Sequence, residues 1–277
     1  MRAEDYGQHL YGEVRRLIFE HGLQVKGKRV LLKPNLVEFE PDSCINTHPL
    51  LVHAIFEAFR ALGAQVTIGE GPGHRRNTLD LADAAGYFDT IPGFEDLFVD
   101  LNLDEVALVR FSQPHSRLGS IYLARSAMAC DLLVSIPKMK THHWAGATLS
   151  MKNLFGIVSG AVYGWPKNVL HWAGIPECIA DLYRAAPAHF AIVDGIVGME
   201  GNGPIQGTAH SSRVLVAGCD LRAVDSTCCR IMSIDPARIE YLRLGGDTPA
   251  VRQIGESVEH VRSRFELLPE WAGIRLV

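Results

Sequence analysis

The feature that most constrains this chain is a repeated alternation. Short apolar segments of strand length are separated by stretches with helical periodicity, and each apolar segment closes on polar residues. The strand-like segments are 29–32, 65–68, 131–136, 190–193 and 214–217. An amphipathic helix is expected over 4–21, closed by Gly22. A second follows Thr47, its expected cap, and stops at Gly63, and a third follows Asp220. This order predicts an α/β fold with a mainly parallel, Rossmann-like sheet flanked by helices. No repeat or composition break divides the chain, so one domain is expected over 1–277, with 246–277 packed on its body.

In open parallel sheets, ligands bind beyond the carboxyl ends of the strands, where loops and helix starts converge. Those positions hold Lys33 and Asn35 after the first strand, Glu70 after the second, Lys138, Lys140 and His142 after the third, and Asp194 after the fourth. If 138–142 runs extended, Lys138, Lys140 and His142 share one face. A helix is expected from about Ala147, placing Thr148 and Lys152 one turn apart, with Lys152 and Asn153 turned toward the cationic edge. His143 falls on the face opposite His142, and His171 and His210 read as ordinary hydrogen-bonded or exposed histidines.

Residues 194–207 hold five glycines and a proline and read as a structured loop carrying Asp194 and Glu200. The acids could bind a hard cation, act as bases, or merely cap backbone amides in a hairpin. Neither a phosphate-binding Gly-Lys-Ser/Thr loop nor a dinucleotide GxGxxG turn is present. Arg75 and Arg76, after Glu70, could clamp an anion.

A formal charge of −4 argues against nucleic acid as a partner, and no run approaches a membrane span, so a cytoplasmic protein without membrane contact is expected. The six cysteines show no CxxC pair and read as small core residues, which speaks against an iron-sulfur cluster.

Lys33-Pro34-Asn35, Gly69-Glu70-Gly71, Pro137-Lys138-Met139-Lys140-Thr141-His142 with Thr148, Lys152-Asn153 and Gly156, Asp194-Gly195 with Glu200-Gly201 and Gly203-Pro204, and Asp220 with Ala223-Val224-Asp225 occur in that order. Across about 29–245 this series resembles the domain-of-unknown-function family 362 (DUF362). The resemblance implies an α/β fold and no particular reaction. The chain is also distantly similar in fold to the amino-terminal domain of nickel-pincer lactate racemases, a likeness that does not carry the nickel group over.

Two functions fit these residues. In the first, an enzyme acts on a small carboxylated or phosphorylated substrate by metal-assisted proton transfer, as an isomerase, racemase or lyase. Lys138, Lys152, Asp194 and Glu200 are its catalytic candidates, and Lys33, Asn35, Lys140, Thr148 and Asn153 hold the substrate. A divalent metal is the candidate cofactor, with His142, Glu70 and Asp194 as its ligands. In the second, a non-catalytic protein holds a metal complex or phosphorylated ligand at the same edge. Oligomerisation is left open.

Overall fold

Strand β1 (Arg29–Pro34) lies inside an eight-stranded sheet because Val30, Leu31 and Leu32 are apolar toward both faces. The computed structural model describes residues 1–75, 77–187, 189–246 and 251–276. In chain order the other strands are β2 (Gln65–Glu70), β3 (Phe98–Asp100), β4 (Val106–Arg110), β5 (Ser120–Ala124), β6 (Leu132–Ile136), β7 (Lys138–His142), β8 (Gly146–Thr148), β9 (His189–Glu200) and β10 (Thr208–Gly218). The main sheet runs β3-β2-β1-β6-β9-β7-β8, with β10 also paired to β9. All contacts from β3 through β7 are parallel, while β8 and β10 pair antiparallel to β7 and β9. Strands β4 and β5 form a separate hairpin.

The two-residue period of the strands divides the core. Val30, Leu32, Val134, Ile136, Phe190 and Ile192 face the helices Leu10–Glu20 and Pro49–Ala61. Leu31, Leu133, Ala191 and Val193 face the helices Ile175–Ala185 and Leu221–Ile231 on the other side. The carboxyl ends of β1 and β2 therefore open between two helical layers, as the α/β reading requires.

Several local expectations change. The first helix starts at Leu10, not residue 4, because the Asp5 side chain accepts from Gly7 N at 2.7 Å and sets a turn that competes with helix. Thr47 is not a helix cap; its hydroxyl donates to Ile136 O at 2.6 Å and accepts from Asn35 N, and His48 caps the helix instead. No helix begins at 147. Residues Gly146–Thr148 form β8, and a single turn, Ser150–Asn153, starts where Asp225 accepts Ser150 N and Met151 N. Thr148 and Lys152 consequently do not share a helical face.

The glycine-rich segment 194–207 is half strand and half turn: Asp194 and Glu200 lie within β9, and 201–207 form the connection that leads back into β10. Gly198 permits that path, since a Cβ there would stand 2.8 Å from Met139 O and 3.1 Å from the Phe265 ring. Of the cysteines, Cys178, Cys228 and Cys229 are buried, Cys44 and Cys130 half-buried and Cys219 exposed. Trp271 Nε1 donates to His143 O at 2.9 Å, tying the carboxy-terminal segment to the edge of β7. No helix among the described residues is long and apolar enough to cross a membrane. Replacing Gly198 by Ala is expected to cost about 1–3 kcal/mol by overpacking, read as a lower denaturant midpoint at unchanged slope.

Candidate functional site

The carboxyl ends of β1 and β2 bring Lys33 beside Glu70. Lys33 Nζ donates to Glu70 Oε2 at 2.7 Å, to Asn153 Oδ1 at 3.0 Å and to Pro34 O at 3.1 Å. Glu70 also accepts from Leu36 N and Gly71 N, and Asn153 Nδ2 donates to Lys33 O and Ser135 Oγ. Lys33 and Glu70 are each 1% exposed, so this pair survives burial through a full set of hydrogen bonds. Burial lowers the Lys33 amine, with the Glu70 charge acting against the shift.

Above this pair opens a cavity of about 640 Å³, within the range of small-ligand sites. Lys140, Lys152 and Lys167 join Lys33 in its wall. Lys140 donates to Ile45 O at 2.8 Å and Pro204 O at 3.2 Å, and Lys167 to Gly71 O at 2.7 Å. Neither has a carboxylate partner among the described residues. Burial lowers Lys140 to about 7, helped by the charges of Lys152 and Lys138, and lowers Lys167 to about 7 with Glu70 opposing. Lys152 opens to the cavity, its amine 4.5 Å from the Phe155 ring centroid, with no hydrogen-bond acceptor among the described residues. Desolvation by the cavity walls and the Lys33 charge lower it to about 8. Asn35 Oδ1, Thr148 Oγ1 and His171 Nδ1 also belong to residues of this wall, are buried, and find no partner among the described residues. A ligand with an anionic group and a hydroxyl or amine would satisfy both sets.

Five of the residues expected to hold a substrate, Lys33, Asn35, Lys140, Thr148 and Asn153, thus come together with Lys152. Lys138, Asp194 and Glu200 do not join them. Asp194 continues the Phe190 and Ile192 face of β9, on the far side of the sheet from Leu31 and Leu133. There it accepts from Lys138 Nζ at 2.7 Å, Tyr6 OH at 2.8 Å and His48 N at 3.0 Å, beneath a Tyr6–His48 ring stack at 3.8 Å. Residues 138–142 are extended, so Lys138 and Lys140 keep their two-residue spacing, but the irregularity in β9 between Asp194 and Met199 separates their partners: Lys138 meets Asp194, and Lys140 meets Ile45 O and Pro204 O. Glu200 pairs with His210 Nδ1 at 2.7 Å and accepts from Glu266 N. Arg75 is bound to Glu38, and Arg76 lies outside the described residues.

The expected metal set of His142, Glu70 and Asp194 does not form, and no group of three His, Cys, Asp or Glu suited to a metal occurs among the described residues. The donor atoms are already used. His142 Nδ1 accepts from Trp144 N at 2.9 Å and Ala145 N at 3.1 Å, which leaves its proton on Nε2 in the neutral ring. Burial and the Lys152 charge hold that ring neutral, well below its usual value. Both Glu70 oxygens and both Asp194 oxygens accept hydrogen bonds as well.

Lys167 escaped the sequence reading because it follows Trp165-Pro166 in an irregular segment, at a left-handed φ of 62°, with no periodicity to place it. His171, which reads in sequence as an ordinary hydrogen-bonded or exposed histidine, forms with Trp144 an edge-to-face pair at the cavity wall, 5.2 Å between centroids.

A Rossmann-like α/β domain with a lysine-lined cavity at the carboxyl edge of its parallel strands is the class of protein defined here. The domain of unknown function DUF362 matches residues 30–230, and the chain belongs to that family. It is 29% identical over 247 residues to a thylakoid-associated protein of Synechocystis sp., covering 85% of this chain and 74% of that protein. Among solved structures it is similar to the lactate racemase apoprotein of Thermoanaerobacterium thermosaccharolyticum, with a TM-score of 0.53 and 15% identity over 84% of this chain. The chain spans 56% of that racemase's length, and the likeness is one of fold.

Two outcomes test the electrostatics. The amines of Lys140, Lys152 and Lys167 titrate near 10.5 when unfolded and near 7 to 8 when folded, so between these values the unfolded chain binds more protons. Stability of the ligand-free protein should rise with pH through this window, measured as urea midpoints. Asp194→Ala should cost about 3–5 kcal/mol in chemical denaturation, because it strands the buried Lys138 cation.

Proposed function

We propose that the cavity binds a small carboxylated or phosphorylated molecule and moves a proton on it, as an isomerase, racemase or lyase does. The observation that carries this reading is the charge balance of the wall: four lysine amines stand around one buried carboxylate, that of Glu70, which Lys33 already neutralises. Lys140 and Lys167 supply positive charge to the anionic group, with Lys33 behind them, and would stabilise negative charge developing during proton abstraction. Asn35 Oδ1 is suited to accept from a substrate hydroxyl, and Thr148 can donate or accept. Lys152 is the proton acceptor, because at about 8 its amine is partly neutral near physiological pH and no protein group ties it down.

Support of a coarser kind comes from the fold shared with lactate racemase, whose name describes the interconversion of a small hydroxy acid. No metal takes part in this reading, because His142 Nδ1 and the oxygens of Glu70 and Asp194 already accept hydrogen bonds. A purely binding role would use the same wall, so the deciding measurement is exchange. In D₂O, loss of the C2–H signal of a small 2-hydroxy acid, or of the C3–H signal of a 2-oxo acid, upon addition of protein would establish the chemistry, and its absence across such acids would leave a binding protein.

Anion affinity should also fall with pH. Sulfate keeps its charge in this range, so its dissociation constant is expected to weaken about tenfold from about pH 6 to about pH 9 as the lowered lysines lose their protons. Calorimetric titration checks this, and a constant affinity would remove the lysines from the binding role.

A further inference from the structure

The four lysines of the cavity are not equivalent. Lys33, Lys140 and Lys167 are 0–3% exposed and spend their N–H groups on protein oxygens. Lys152 opens to the cavity, lies over the Phe155 ring, and has no oxygen among the described residues to hold its amine. Desolvation and the Lys33 cation act on it, and its own charge in turn lowers Lys140, His142 and His171 around it. A neighbouring cation in a desolvated pocket is the physical means by which a lysine becomes a nucleophile at neutral pH. A free base role does not use this fully, because the same lone pair that accepts a proton can attack an electrophilic carbon.

We propose that the ε-amine of Lys152 forms an imine with the carbonyl carbon of a small 2-oxo acid held in the cavity. This rests on the anion-binding reading above and deepens it by naming the substrate class: a carboxylate to meet the uncompensated lysines, and an adjacent carbonyl to meet the free amine. The amine lone pair forms the C–N bond as the carbonyl π pair moves to oxygen, and one N–H proton passes to that oxygen to give the carbinolamine. Its hydroxyl then leaves as water with a proton from solvent, while the nitrogen lone pair closes the C=N bond. Amine, carbonyl compound and one proton thus become protonated imine and water, with no oxidant or reductant involved. Thr148 Oγ1 and His171 Nδ1, unpartnered in the same wall, are placed to hydrogen-bond the carbinolamine hydroxyl. The protonated imine in turn withdraws electrons from the neighbouring carbon and acidifies its hydrogen; in this state Lys152 is no longer the acceptor, and the proton passes to water in the cavity.

At pH 8 about half of Lys152 is neutral, whereas an ordinary lysine is neutral in only about one molecule in three hundred. Selective trapping follows. The whole protein is incubated with pyruvate or glyoxylate, reduced with sodium borohydride, and mapped by peptide mass spectrometry. One reduced adduct is expected on Lys152, at least about tenfold above any on the exposed Lys26 and Lys28. Acetone, a carbonyl without a carboxylate, should label it far less. Lys152→Arg keeps the charge and should abolish the adduct, with its melting curve reporting whether it folds; if it does not, the map of the unaltered protein decides alone. Absence of the adduct with both oxo acids, or labelling spread evenly over the exposed lysines, overturns the proposal. A rise in melting temperature with the oxo acids but no adduct overturns the imine and keeps the anion site, whereas no rise and no adduct overturns both.

Discussion

The buried pair of Lys33 and Glu70 is the interaction on which the rest of the site depends. It joins the carboxyl ends of β1 and β2, and through Asn153 it fastens the turn that carries Lys152. Two such charges could not be buried without further hydrogen bonds, and the backbone supplies them through Leu36 N, Gly71 N and Pro34 O. The close fit explains Gly156, where any Cβ would overlap the Glu70 carboxylate and the Lys33 amine. Strand ends, turn and glycine thus form one unit, and the cavity is the space that this unit holds open above itself.

A second buried pair, Lys138 with Asp194, looks equivalent in sequence and is not. Asp194 follows Phe190 and Ile192 at two-residue spacing, so β9 delivers it to the face covered by the helices Leu10–Glu20 and Pro49–Ala61. Tyr6 and His48 close over it, and burial with the Asp194 charge drives the Tyr6 hydroxyl well above its usual value. A sheet edge collects polar side chains from both of its faces, but only one face here borders the cavity. The pair on the other face is a structural tie between the amino-terminal segment and the sheet.

How much of this was legible follows from the range of each interaction. Alternating apolar segments specify strands and their burial locally, so the parallel sheet and the positions of Lys33, Glu70 and Lys140 at its edge could be read directly. The length of β9 could not, because glycines at 195 and 198 suggest a loop unless Met139 and Phe265 are known to press against them. The helix expected at Ala147 failed for a related reason: Asp225, 75 residues on in sequence, accepts the Ser150 amide and so determines where the turn begins. Lys167 reaches the cavity from an irregular segment whose path depends on its contacts with Gly71 and Phe155. Periodicity says nothing about such a residue.

Burying lysines without counter-ions has a cost, and that cost indicates what the cavity is for. A protein under selection for stability alone would replace Lys140 or Lys167 with an apolar side chain, or supply a second carboxylate, since each amine is held near 7 by desolvation. Neither replacement is present beside these amines: Glu270, the other acid of the wall, is exposed and pairs with neither of them, and backbone carbonyls orient both amines without neutralising them. Positive charge kept in place but uncompensated is most strongly used by a ligand that brings the missing negative charge. That ligand would be bound more tightly than hydrogen bonds alone allow, because it also relieves the desolvation of the lysines. The same field that favours an anion keeps Lys152 partly neutral, so the group best placed to react and the groups that hold the substrate follow from a single arrangement of charge.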